Sequence, residues 1–76
     1  MSYGYGVRLV QLNSEANEHL TGVRLGRLCI ARNISVIEVA RRLGASRQTV
    51  YNWFSGTCSP GESFQTRIKA FVASLG

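Results

Sequence analysis

The chain has 76 residues, enough for one domain around one small core and too few for a second. Hydrophobic residues make up 45% of it, a composition that excludes a disordered tail. Eight arginines and one lysine oppose four glutamates and no aspartate, and the resulting charge of +5 points to an anionic partner.

Residues 1–12, MSYGYGVRLVQL, alternate: Tyr3, Tyr5, Val7, Leu9 and Gln11 share one face, with Gly4, Gly6, Arg8, Val10 and Leu12 on the other. The pattern fits a short β-strand, which needs a partner for its backbone groups, or a disordered arm; a third reading, an arm that tracks DNA, has a single arginine, Arg8, behind it. Residues 13–76 form the expected domain. Asn13-Ser14-Glu15 offers a polar cap followed by an acid, so a helix is predicted from about residue 15 to 32. A break is placed at Gly22, where Thr21-Gly22 is a second possible start, because glycine costs about 1 kcal/mol inside a helix relative to alanine. Asn33-Ile34-Ser35 is the turn that follows. Ser35 caps the next helix, Glu38 completes a capping box, and Ile34 and Ile37 extend the core around the junction.

The stretch 36–55, VIEVARRLGASRQTVYNWFS, reads as two short helices joined by a sharp turn. Val36, Val39, Ala40 and Leu43 form one helical stripe; Val50, Trp53 and Phe54 form the other. Gly44 can take the left-handed conformation that ends a helix, and Ser46 can cap its successor. Trp53 could stack on a base, but its spacing with Val50 and Phe54 assigns it to the core. A loop runs from Gly56 to Gly61, with Pro60 stopping the helix. Ser63 is then the expected cap of a last helix whose stripe is Phe64, Ile68, Phe71, Val72 and Leu75. Part of that stripe roofs the core and part is free for a subunit contact.

Other chemistry has little support. Cys29 falls in a helical pattern and Cys58 in a loop, so no disulfide framework is expected, and His19 is far from both, so no metal set forms. The glutamates are scattered and no nucleophile adjoins a base, so no catalysis is expected. Neither a cofactor nor a small-molecule ligand is implied. No apolar run reaches membrane-spanning length and the N-terminus lacks a signal-peptide core, which implies a cytoplasmic protein.

The paired helices have the arrangement of a DNA-binding helix-turn-helix. Residues 23 to 60 resemble the phage repressor and Cro family: a small Ala40, glycine four later at Gly44, apolar Val50 six beyond that, and Trp53 three further. Ser55-Gly56-Thr57-Cys58-Ser59-Pro60 also looks like that family's exit loop. The resemblance implies an all-α helical bundle that reads the major groove of double-stranded DNA with helix 46–55, as a transcription regulator and homodimer. In that family's positions Arg47, Gln48 and Asn52 would read bases: arginine forks onto guanine, the amides onto adenine. Ser46 and the helix N-terminus suit a phosphate. Tyr51 suits a phosphate or a thymine methyl, with Thr49 and Ser55 as weaker candidates. Arg41 and Arg42 stand outside the first motif helix, either assisting with phosphates or forming a solvated face. Two departures stand out. The exit loop carries no lysine or arginine, and the chain ends after a fourth predicted helix where many members have a fifth. The N-terminal stretch, pairing as a strand with its symmetry mate, is the favoured dimer contact, ahead of the last helix. The alternatives are an accessory module in phage recombination or packaging, or an antitoxin-like protein-binding regulator.

Overall fold

A computed structural model describes residues 6–75. Among these the fold is all-α, with five helices: α1 (Val7–Glu15), α2 (Thr21–Ala31), α3 (Val36–Leu43), α4 (Arg47–Ser55) and α5 (Glu62–Leu75). The core is built from Leu9 of α1, Leu25 and Cys29 of α2, Val39 and Leu43 of α3, Val50, Trp53 and Phe54 of α4, and Ile68 and Phe71 of α5. Trp53 is buried and meets the Phe64 ring edge-on at 4.9 Å, which confirms its place in the core.

The N-terminal strand is overturned where the structure describes it. Residues 7–15 are helical, and the part of the alternation on Tyr3 and Tyr5 lies outside the described residues. The stripe that counts is Leu9, Leu12, Asn13 and Ala16, at i, i+3, i+4 and i+7, with a polar residue in its middle. Asn13 is as fully buried as Leu9, which it can be because its amide donates to Phe54 O (2.7 Å) and Val23 O (3.1 Å). Asn13-Ser14-Glu15 therefore ends a helix instead of starting one. Arg27 donates to the carbonyls of Asn13, Ser14 and Ala16, satisfying acceptors that a helix C-terminus leaves open.

The helix expected over 15–32 begins at Thr21, the alternative start, and Gly22 lies inside it. Gly22 and Gly26 let α2 lie almost against α4. A Cβ at Gly22 would come within 2.7 Å of Trp53 Cβ and 2.8 Å of Trp53 O, and one at Gly26 within 2.7 Å of Asn13 Nδ2 and 2.8 Å of the Phe54 ring. The helix-propensity loss is accepted because close approach needs a missing side chain.

α2, α3 and α4 end alike. Asn33 (φ 58°), Gly44 (φ 72°) and Gly56 (φ 82°) take the left-handed conformation, and the next residue's N–H returns to the carbonyl of Cys29, Ala40 or Asn52. The turn predicted at Gly44 is thus observed. Ser35 caps α3 as expected, accepting from Glu38 N, but the box is only half formed: the Glu38 carboxylate turns to Arg41 and Arg42 instead. Ile37 is 59% exposed and does not extend the core, whereas Ile34 packs against it. α5 begins at Glu62, so Ser63 lies inside its first turn and is not the cap.

Candidate nucleic-acid interface

α4 is a nine-residue helix held on its buried side by Val50, Trp53 and Phe54. Ser46 caps it, accepting from Thr49 N at 3.1 Å while sharing a hydrogen bond with the Thr49 hydroxyl at 2.8 Å. That cap aims the first turn outward: Ser46, Arg47 and Gln48 are exposed, and Thr49, Tyr51, Asn52 and Ser55 are half-buried. Arg47 enters no hydrogen bond or ion pair among the described residues, so its five donors face solvent. Gln48 and Asn52 are coupled one turn apart, Gln48 Nε2 donating to Asn52 Oδ1 at 3.0 Å.

The structure does not gather all nine candidates. Ser46, Arg47, Gln48 and Tyr51 line a single cleft, and Asn52 reaches it through Gln48. Ser55 sits at the far end of α4, where its hydroxyl donates to Asn52 O and meets the Thr57 hydroxyl. Arg41 is exposed and paired with Glu38. Arg42 is 3.7 Å from the other Glu38 oxygen and lies over the Phe71 ring at 5.2 Å, turned toward α5. The cleft also contains Arg8 of α1, and Val36 and Ile37 of α3, two residues that the sequence assigned to the core and not to a binding surface. The one sequence signal for Arg8 is that it is the lone arginine of residues 1–12, thin support for an arm that tracks DNA.

A model of the Cro/C1-type helix-turn-helix DNA-binding domain matches residues 24–65, more than half of the chain and all of the paired helices. The chain belongs to that family. No curated protein and no solved structure matches it. In this Cro/C1-type domain α3 and α4 are the helix-turn-helix, and the N-terminal turn of α4 is the exposed end of the second helix. The family assignment and the five-helix bundle agree with the DNA-binding resemblance drawn from Ala40, Gly44, Val50 and Trp53. Among the described residues α1 is a fifth helix, one more than the four predicted, and it lies at the N-terminal side of the matched region. Among the described residues no three His, Cys, Asp or Glu side chains gather to hold a metal ion, and no helix is long and apolar enough to cross a membrane.

Cys29 and Cys58 are both free thiols. Burial pushes the Cys29 thiol up to about 11, since a thiolate there would lose its hydration.

Proposed function

We propose that this Cro/C1-type domain is a sequence-specific transcription regulator of the repressor kind, of phage or prophage type, working as a homodimer in the cytoplasm. The observation that carries the reading is the outward-facing first turn of α4, with Arg47 unpaired among the described residues and the coupled Gln48–Asn52 amides beside it, on a helix whose other side is locked in the core. A helix so presented fits the major groove, where Arg47 forks onto a guanine and Gln48 onto an adenine. Ser46, with the α4 N-terminus, takes a phosphate, and Tyr51 takes a phosphate or a thymine methyl. Thr49, Ser55, Arg41 and Arg42 have lesser roles: Thr49 completes the Ser46 cap, Ser55 lies at the far end of α4, and Arg41 and Arg42 are turned to Glu38.

One copy reads only a few base pairs, too few to single out an operator in a genome, so two copies on a two-fold axis are required. Selection of bound sites from a random DNA pool tests both points. The expected product is an inverted repeat with half-sites about 10 base pairs apart. In the same selection, Arg47→Ala should relax the choice at one position and weaken binding by about 1–3 kcal/mol. A pool that never enriches a sequence would overturn the regulator reading.

A further inference from the structure

The nine cations of this chain divide sharply by what they already hold. Arg27, Arg32 and Arg67 donate to backbone carbonyls of Asn13, Leu75 and Leu43 respectively. Arg41 and Arg42 share Glu38. Arg8, Arg24, Arg47 and Lys69 enter no hydrogen bond or ion pair among the described residues. These four separate into two places. Arg24 and Lys69 flank a groove between α2 and α5, whereas Arg8 and Arg47 line the cleft between the first turns of α1, α3 and α4.

That second cleft encloses about 660 Å³, and among the described residues no acidic side chain lines it. Its walls carry the exposed Ile37 beside the polar Ser46, Gln48 and Tyr51. Arg8 is held there by packing of its own helix. Leu9 is buried in the core, and Asn13 one turn on is pinned to α2 and α4, so α1 cannot turn Arg8 away without breaking both. Two unneutralised guanidiniums facing one cleft repel each other weakly and both attract an anion.

We propose that α1 belongs to the DNA interface and that Arg8 neutralises a backbone phosphate beside the groove read by α4. This rests on the DNA-binding reading of α4 and adds to it a contact outside the helix-turn-helix. When α4 enters the major groove, the cleft between it and α1 receives one flank of the duplex backbone. Arg8 meets the phosphate, and Ile37 gains an apolar cover from the adjacent deoxyribose. Such a contact positions the protein and carries no base information.

The test compares Arg8→Ala, Arg8→Lys and Arg24→Ala with the parent on its selected site over a range of salt. Arg8 and Arg24 are both exposed and unpaired, so each variant should melt like the parent. Arg8→Ala should reduce the slope of log K against log salt by about 0.9 for each subunit bound, with the selected sequence unchanged. Arg8→Lys should keep most of the slope, and Arg24→Ala all of it. An Arg8→Ala slope equal to the parent's overturns the contact and leaves the regulator reading standing. A parent that binds no DNA, or binds it with no salt dependence, removes both.

Discussion

At the scale of single residues, the coupling of Gln48 to Asn52 narrows what each can read. The bond to Asn52 Oδ1 fixes the plane of the Gln48 amide and takes one of the two lone pairs that Asn52 could turn to a base, whereas a bidentate grip on adenine needs a donor and an acceptor. Gln48 keeps its Oε1 and one Nε2 hydrogen, the pair that adenine requires. The proposed reading thus gives adenine to Gln48 and makes Asn52 its positioning residue. Asn52→Asp retains the acceptor and should preserve the adenine preference while lowering overall affinity, because it adds a negative charge. Asn52→Ala should blur that base, with a loss of about 1–3 kcal/mol of discrimination. An Asn52→Ala site logo identical to the parent's would end the assignment. Cys29 gives a second residue-scale expectation. Its folded value of about 11 lies above the ordinary 9.0, so the folded state holds its proton where the unfolded state releases it. Its contribution is full below pH 9 and is lost as pH rises toward 11. Denaturant midpoints should therefore fall across that window, and Cys29→Ala should shrink the fall.

At the scale of helices, the meeting of α1, α2 and α4 is set by one asparagine and two glycines. Gly22→Ala gains helix propensity of about 1 kcal/mol, but its methyl group would collide with Trp53 Cβ and backbone oxygen, neither of which can swing aside. Overpacking of this kind costs about 1–3 kcal/mol, so the collision should win and the midpoint should drop. Asn13→Ala deletes two buried hydrogen bonds and should cost about 1–3 kcal/mol with no direct effect on α4's exposed face. Thermal melts check both, and a Gly22→Ala protein more stable than the parent would show that the helices have room to separate. The same geometry sets what an N-terminal truncation does. Removing residues 1–12 would take Leu9 out of the core, so the expected result is a destabilised bundle.

At the scale of the whole molecule, the finding that residues 7–15 are helical withdraws strand pairing there as a dimer contact. The last helix then becomes the better surface. Val72 is 37% exposed on α5, beside the apolar groove floored by Leu25, Leu28 and Ile68. Under the proposed dimer, Val72→Glu should shift the protein to monomer in sedimentation and weaken binding to a full inverted repeat far more than to a half-site. A Val72→Glu protein that still sediments as a dimer would place the axis elsewhere.

The chain's local spacing alone determined the helix-turn-helix. Ser35, Gly44 and Ser46 act within a few residues of themselves through caps and a left-handed turn, and the apolar stripes of α3 and α4 repeat within one helix each. Such features need no knowledge of what lies across the core, and the turn, the caps and the buried Trp53 were legible for that reason. The tertiary structure decided the rest. Asn13 reads as a helix start until Val23 and Phe54, 10 and 41 residues away, supply the carbonyls that bury it. Gly22 reads as a break until the Trp53 backbone is brought against it. Arg8 is a lone arginine in an alternating stretch until α1 carries it to the cleft beside α4. A polar group's burial and a glycine's purpose depend on partners that the chain meets only after folding, and no local periodicity encodes them.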